Sequence, residues 1–335
     1  MAGDGFNWTQ LSMSRAGNFP PGGYKQYTAE QVREKGAMWV WHTTFARSIP
    51  AVITGLAQEL SDELSTWDVD TMRRKWGQKD VMVAFSPDKY FQRGWLIDNK
   101  TGRRLRAPHR QRMLVDSYLD EVLAGRQDEH IAVQQSPHRD LSEFGLPNSP
   151  PLLEDLVKPT LQATNLWVAT PPKTSVLHYD WQDSVLLQLS GSKRFTVIDP
   201  ARLHTAYPCV MQMESYVRVA PGVFETRIVD REIDNFPLVN VSHPDFERFP
   251  LFKDAHVMTI DVPAGAALIL PAYWYHQVES FAEPGKFSVA LNYWFQGHSL
   301  ATRLYRTLRE NVFLNCTLPA MPGELHPCRD SRLRD

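Results

Sequence analysis

Residues 174–200, TSVLHYDWQDSVLLQLSGSKRFTVIDP, indicate both the fold and the chemistry of this chain. Residues 185–189 and 195–198 are mostly apolar and are joined through a Ser-Gly-Ser turn, a pattern typical of two consecutive strands. Successive side chains of a strand point to opposite faces, so His178 and Asp180, two residues apart, are expected to face the same way. The stretch therefore predicts two strands preceded by an imidazole and a carboxylate on one face.

A second histidine from a distant strand would complete a metal site. His276, within GAALILPAYWYHQVES at 265–280, is the best candidate. Two histidines and one carboxylate, with the other positions open, form the facial triad of non-haem Fe(II) oxygenases. An H-x-D pair also arises by chance, so a core histidine at 178 and a turn-forming Asp180 remain the competing interpretation. The same three ligands also suit zinc, in a hydrolytic or structural site.

Lys193 follows His178 by fifteen residues and lies between the Ser-Gly-Ser turn and the second predicted strand. The predicted fold brings this lysine close to the metal pair, inside the protein. Burial of a lysine costs several kcal/mol unless an anion accompanies it. A dicarboxylate cosubstrate would supply that anion.

With these motifs, the chain resembles the JmjC-type, cupin-like 2-oxoglutarate oxygenases. The resemblance extends from residue 49 to residue 315 and is nearest to the small JmjC lysyl hydroxylases and the factor-inhibiting-HIF asparaginyl hydroxylase. It rests on LHYD at 177–180, SGSKRF at 190–195, HPDFERFP at 243–250, PAYWYHQVES at 271–280 and VALNYWF at 289–295. It implies a mainly β fold, a double-stranded β-helix or jelly roll, with an N-terminal helical elaboration and a C-terminal helix.

The resemblance implies one Fe(II) ion held by His178, Asp180 and His276, with 2-oxoglutarate and O₂ as cosubstrates. Lys193 would hold the 5-carboxylate of 2-oxoglutarate as a point charge. The reaction would hydroxylate an amino-acid side chain of a protein or peptide and release succinate and CO₂. The same family also suggests an RNA-nucleoside hydroxylase or a histone-type lysine demethylase as alternatives.

Two further contacts follow from the resemblance. The family places a hydroxyl three residues before the first histidine, which is Ser175 here. Regular alternation would instead put Thr174 on the face of His178, so Ser175 requires a β-bulge. Asn292 resembles a family asparagine near the metal, although an amide that satisfies the backbone at a strand end explains it equally well.

One position departs from the family pattern. The strand predicted at 130–135 often carries a tyrosine that contacts 2-oxoglutarate, and this chain has Ala132 there. A different side chain or a water molecule would have to replace that contact. The departure also keeps open a cupin-like binding module with reduced turnover.

Composition narrows the range of partners. The chain has 335 residues, 43% of them apolar, and a net charge of −2, so no strong field attracts nucleic acid or a membrane. The basic run at 103–106 is short and more typical of a solvated loop.

Aromatic residues 273–275 suggest a methyl-lysine cage, although core packing is the more common role. Without a signal sequence or a C-x-x-C motif, we predict a cytoplasmic or nuclear protein.

We predict one catalytic domain at 29–315, after a flexible segment at 1–28 and before a loose tail at 316–335. Its jelly-roll core is expected at 165–297, and its N-terminal part is expected to hold helices at 29–38, 61–77 and 110–125. The proline-rich stretch 199–249 is predicted to be irregular and to lie at the mouth of the site. A helix at 299–314 carries an apolar stripe that would form a homodimer or pack on the jelly roll: Leu300, Leu304, Leu308 and Val312.

Overall fold

The computed structural model of the protein describes residues 23–92, 97–98, 102–297 and Thr307. Six α-helices lie in the described part, all before the jelly-roll strands: α1 Ala29–Lys35, α2 Ala37–Thr43, α3 Gln58–Ser65, α4 Val69–Trp76, α5 Val115–Leu123 and α6 Glu154–Val157. The strands of the N-terminal part are β1 Lys25–Thr28, β2 Ala51–Thr54, β3 Asp80–Ser86, β4 Ile97–Asp98, β5 Gly102–Ala107, β6 His109–Leu114 and β7 His130–His138.

The remaining strands are β8 Leu161–Ala169, β9 Lys173–His178, β10 Asp183–Ser190, β11 Ser192–Ile198, β12 Met211–Ala220, β13 Val223–Ile233, β14 Val257–Pro263, β15 Ala267–Leu270, β16 Tyr275–Phe281 and β17 Ser288–Phe295. A nine-stranded sheet has the order β1-β2-β15-β10-β17-β8-β7-β3-β6, and a four-stranded sheet has the order β14-β11-β16-β9. Along the chain, the strands alternate between these two sheets from β8 to β11 and again from β14 to β17. This arrangement confirms the predicted mainly β jelly roll.

Strand β10 shows why the opening stretch directs this fold. All eight of its residues are buried, which is expected of a strand covered on both faces. Val185 and Leu187 pack into the core beneath the helices, while Leu186 packs between the two sheets. Gly191, at φ 68°, turns the chain towards β11, and a Cβ there would lie 2.3 Å from the carbonyl oxygen of Phe281. Only glycine fits this turn without displacing the neighbouring strand.

The helices cover the outer face of the nine-stranded sheet. Trp67 and Trp76 meet edge to face with ring centroids 4.8 Å apart. The indole N–H of Trp76 also donates to the carbonyl oxygen of Phe144 at 2.9 Å, so the buried polar atom is satisfied. The opposite face of the sheet is thereby left to face the four-stranded sheet and to line the interior of the jelly roll.

Several predicted boundaries in the N-terminal part were wrong. Residues 25–28, expected to be flexible, form β1 and pair in parallel with β2. The single helix expected at 61–77 is two helices, because the side chain of Asp68 accepts from the backbone N–H of Thr71 at 2.8 Å and starts α4 separately. Of the helix expected at 110–125, the first part is strand β6, which pairs with β3, and only α5 is helical.

The stretch 199–249 is also more regular than predicted. It contains the long hairpin β12–β13, which forms a third sheet of order β13-β12-β5-β4. The basic run at 103–106 lies in β5 rather than in a solvated loop, and Arg104 and Arg106 both pair with the buried carboxylate of Glu214. Hairpin pairing and this ion cluster order a segment whose prolines suggested a loop.

Three predicted segments lie outside the described residues: the start of the chain at 1–22, the tail at 316–335, and the C-terminal helix at 299–314, apart from Thr307, which is helical. The predicted extent of the catalytic domain and the predicted dimer stripe therefore stay predictions. None of the described helices has the length and apolarity that a membrane-crossing helix requires.

Candidate functional site

A cavity of about 270 Å³ lies between the two sheets of the jelly roll. Strands β9, β11 and β16 line it from one side, and β8, β10, β15 and β17 line it from the other. All six residues predicted for the site contribute to its wall: Ser175, His178, Asp180, Lys193, His276 and Asn292. Tertiary structure thus collects into one space residues that span more than a hundred positions of the chain.

The three predicted metal ligands lie together. One ligand atom of each of His178, Asp180 and His276 falls within 4.8 Å of the other two. His276 on β16 is directly opposite His178 on β9, and the two ring centroids are 4.3 Å apart. The Nε2 atom of His276 is 3.8 Å from Oδ2 of Asp180. These three donors could hold a single metal ion from one side.

Backbone hydrogen bonds orient both imidazoles. Nδ1 of His178 lies 2.7 Å from the carbonyl oxygen of Val176, and Nδ1 of His276 lies 2.9 Å from that of Trp274. A carbonyl oxygen only accepts, so each Nδ1 carries the proton and each Nε2 keeps a lone pair for a metal. Burial, together with the nearby His178, lowers the pKa of His276 to about 4. His276 is therefore neutral at neutral pH, the form that binds metals.

The segment after the hairpin β12–β13 supports this site, and sequence reasoning missed it. The backbone N–H of Tyr179 donates to the carbonyl oxygen of Asn235 at 3.1 Å, and the Asn235 amide donates back to the Tyr179 carbonyl at 2.7 Å. The ring of Phe236 stacks on His178 with centroids 5.3 Å apart. No local motif marks Asn235 and Phe236, because their role depends on where the hairpin returns the chain.

The donor set fits a divalent transition metal. Two imidazole nitrogens and one carboxylate, with open positions on the cavity side, are typical of non-haem Fe(II) sites. The same set also binds zinc, so the ligands alone do not select the metal. The side-chain carbonyl oxygen of Asn292 is buried in the same cavity and has no hydrogen-bond partner among the described residues. It lies inside β17 rather than at a strand end, so a backbone-satisfying role does not account for it.

Lys193 lies in the same cavity with its side chain buried. Its ammonium group donates to the hydroxyl of Ser280 at 2.8 Å. Burial lowers the pKa of Lys193 to about 8. In the described part of the chain no carboxylate forms an ion pair with it, so an anionic ligand would compensate a desolvated charge.

Ser175 reaches the cavity through the bulge that its predicted role requires. The pairing of β9 with β16 shifts register, so that His178 is opposite His276 while Ser175 is opposite Val278. Three residues of β9 thus span two of β16, and both Ser175 and His178 line the cavity. The extra residue overrides the strict alternation that would have selected Thr174.

Ala132 and the aromatic residues at 273–275 do not line the cavity. Ala132 is buried beside Ala84, Phe91 and Ala169. Tyr273 and Tyr275 pack on Tyr179 in the core, with ring centroids 5.5 and 5.2 Å away. The suggested methyl-lysine cage is therefore wrong, because these three rings are buried in the core.

The third sheet and Trp181 contribute to the wall of the cavity. Met213 on β12 and Arg231 and Ile233 on β13 line the cavity together with Leu105 on β5. Trp181, which follows the metal pair, is 40% exposed. The stretch 199–249 thus contributes to the cavity, and a substrate that enters between the sheets would contact it.

The chain belongs to the cupin-like family of proteins, since the model of the cupin-like domain matches residues 38–300. Within it, the similar curated proteins are of the JmjC type. The human bifunctional peptidase and (3S)-lysyl hydroxylase JMJD7 is 28% identical over 243 residues, which are 69% of this chain and 72% of that protein.

Two further relatives match over shorter lengths. The lysine-specific demethylase JMJ32 of Arabidopsis thaliana is 26% identical over 151 residues, which are 40% of this chain and 41% of that protein. The HSPB1-associated protein 1 of Rattus norvegicus is 28% identical over 169 residues, which are 50% of this chain and 30% of that protein. This chain thus spans less than half the length of these two relatives.

Proposed function

We propose that this protein is an Fe(II)- and 2-oxoglutarate-dependent oxygenase that hydroxylates an amino-acid side chain of a protein substrate and releases succinate and CO₂. One observation carries the proposal: a single cavity holds a His-Asp-His donor set and a buried lysine without an ion-pair partner in the described chain. A structural zinc site would not require the lysine, whereas a dicarboxylate that binds the metal at one end would reach it at the other.

The proposed roles follow from the contacts of each residue. His178 and His276 bind the metal through Nε2, because their Nδ1–H groups are held by backbone carbonyls. Asp180 supplies the third ligand and a negative charge. Lys193 and Ser175 orient the distal carboxylate of 2-oxoglutarate, which leaves its keto-acid end for the metal. Bound Fe(II) supplies the oxidative decarboxylation of 2-oxoglutarate and the oxidation of the substrate C–H bond.

Support for a protein substrate comes from the relatives and from the pairing of the basic run. Two relatives are named as a bifunctional peptidase and (3S)-lysyl hydroxylase and as a lysine-specific demethylase. Arg104 and Arg106 of the basic run are paired with Glu214, which leaves less positive charge to attract RNA phosphates. We further propose one catalytic domain at 29–315, a cytoplasmic or nuclear location, and a homodimer formed by the C-terminal helix.

Turnover and metal binding test the proposal together. The purified protein, with Fe(II), 2-oxoglutarate and peptides captured from a proteome, should release succinate and add one oxygen atom to a peptide in mass spectra. Asp180→Ala should abolish both signals and weaken Mn(II) binding in calorimetry. The matched control is Asp261→Ala, an exposed carboxylate on β14 that should change neither. Full activity of Asp180→Ala would contradict the metal assignment, and loss of a methyl group would identify a demethylase.

A further inference from the structure

A second buried lysine lines the same cavity. Lys173, the first residue of β9, is 5% exposed. Its ammonium group donates to the hydroxyl of Ser175 at 3.1 Å and lies 5.0 Å from the ring centroid of Phe91 and 5.3 Å from that of Trp167. Among the described residues no carboxylate forms an ion pair with it. The contacts of this cation are thus one neutral hydroxyl and two aromatic faces.

Lys173 and Lys193 belong to one row across the four-stranded sheet. Ser280 on β16 is opposite Lys173 on β9 and also opposite Lys193 on β11. Neighbouring strands are about 4.8 Å apart, so the two lysine Cα atoms are separated by roughly 10 Å with a serine hydroxyl between them. Both side chains enter the cavity from the same sheet. The row therefore presents two lysine amines to one small space.

Burial and neighbouring positive groups disfavour the charged form of Lys173 at this end of the cavity. Burial lowers the pKa of Lys173 well below its usual value, and the positive charges of Lys193 and Arg110 lower it further. A buried ammonium group without an anion is costly, because the protein interior replaces its hydration poorly. An anion bound between the lysines would offset the desolvation of both, so its binding should stabilise the fold strongly.

A hydrogen-bond donor without a partner faces the same region. The indole N–H of Trp167, on β8 of the facing sheet, is buried and has no acceptor within the described chain. The ring of Trp167 lies beside the Lys173 ammonium group. Phe91, the other ring beside Lys173, packs against Ala132, the small residue of β7 that takes the place of a tyrosine. Lys173 thus lies near the part of the cavity wall where the phenol of a tyrosine at position 132 would be expected.

We propose that Lys173 and Lys193 together bind the distal carboxylate of the dicarboxylate cosubstrate, with the indole N–H of Trp167 as an additional donor. This inference rests on the proposed function and names the side chain that compensates for Ala132. The two ammonium groups select a keto acid with an anionic tail over one with an apolar tail. Lys173 is then a specificity-determining residue rather than a packing residue.

Binding calorimetry on the full chain loaded with Mn(II) distinguishes a specificity-determining role of Lys173 from a packing role. The two probes are 2-oxoglutarate and 2-oxopentanoate, which share the keto-acid end but differ at the tail, where a methyl group replaces the carboxylate. Lys173→Met should weaken 2-oxoglutarate binding by about tenfold or more, the size of one charge-assisted contact, and leave 2-oxopentanoate binding within about twofold. Lys193→Met should behave alike, and the exposed Lys158→Met should match wild type. Lys173→Gln, which keeps a polar side chain without the charge, is measured beside Lys173→Met.

The outcomes distinguish this inference from the proposed function. A wild-type protein that binds neither keto acid contradicts the proposed function itself. If Lys193→Met loses affinity for 2-oxoglutarate while Lys173→Met keeps wild-type affinity, the proposed function stands and the role of Lys173 is wrong. The same conclusion follows if Lys173→Met loses affinity for both keto acids equally. Thermal unfolding gives a second readout: ligand-free Lys173→Met should melt no lower than wild type. A lower melting temperature would assign Lys173 a structural role through its ring contacts and overturn the inference.

Discussion

Replacement of Arg218 by alanine should loosen the hairpin β12–β13 from the body of the protein. Arg218, on β12, donates to Oε1 of Glu129 from Nε at 2.6 Å and to Oε2 of Glu121 from Nη2 at 2.8 Å. Its guanidinium carbon also lies 4.2 Å from the ring centroid of Phe85. The arginine thus connects the hairpin to α5, to the start of β7 and to β3.

The magnitude follows from the burial of this cluster. The side chain of Glu129 is 0% exposed and that of Arg218 is 11% exposed. Removal of one partner of a buried ion pair costs about 3–5 kcal/mol, because a charge is left desolvated. Arg126 remains 3.3 Å from Glu129, so we expect the lower end, about 3 kcal/mol. The entropy of unfolding is about 2.1 cal/mol/K per residue, or about 0.7 kcal/mol/K for 335 residues, so that loss lowers the melting temperature by roughly 4 °C.

Calorimetric melts and peptide kinetics would measure both consequences. Met213 and Arg231 reach the cavity from the hairpin, whereas Lys193 belongs to the main jelly roll. Arg218→Ala should therefore raise KM for the peptide and leave 2-oxoglutarate binding near wild type. The control is Arg194→Ala, which removes an ion pair with Asp261 whose side chains are 48% and 64% exposed. An exposed pair contributes only about 0–1 kcal/mol.

The comparison of the two arginine variants tests whether burial controls the contribution of an ion pair to stability. Arg218→Ala and Arg194→Ala with the same melting temperature would mean that burial of the cluster does not control its contribution. A normal peptide KM in a destabilised Arg218→Ala protein would mean that the hairpin does not contact the substrate.

The other predictions concern three positions. Burial raises the pKa of Asp183 to about 7, so the native state keeps a proton that the unfolded state releases near pH 4. The free energy of unfolding therefore falls as the pH rises from the usual carboxyl pKa through 7. In melts, Asp183→Asn should match the wild-type melting temperature near pH 4 and exceed wild-type stability by roughly 4 kcal/mol at pH 8, because one pKa unit corresponds to about 1.4 kcal/mol. Ala132→Tyr adds a large ring to a fully buried position, so we expect a lower melting temperature and less 2-oxoglutarate turnover. Unchanged turnover would show that the phenol is accommodated. Leu304→Arg should give a folded monomer in light scattering if the C-terminal helix forms a homodimer, and a monomeric wild type at micromolar concentration rules the dimer out.

The site was more predictable than the segments around it. His178 and Asp180 are close because only one residue separates them, although β9 ends at His178 and Asp180 lies in the loop beyond it. The strands predicted at 185–189 and 195–198 follow from local apolar patterning. The helix expected at 110–125 was partly wrong because apolar spacing at 113–114 suits a strand end as well as a helix. Pairing with β3 decides between them, and that partner lies thirty residues away in the chain.

The amino-acid sequence by itself determined the alternation of strands and glycine turns, the mainly β class and the His-Asp pair, because these depend on neighbouring residues. Tertiary structure alone decided the bulge that turns Ser175 into the cavity and the position of Lys173 opposite Ser280. It also decided that the hairpin β12–β13 returns Asn235 to Tyr179, next to the metal ligands. Register between strands distant in the chain sets each of these contacts. A buried charge is recognised only when the whole surrounding wall is known, because its solvation depends on every side chain that replaces water.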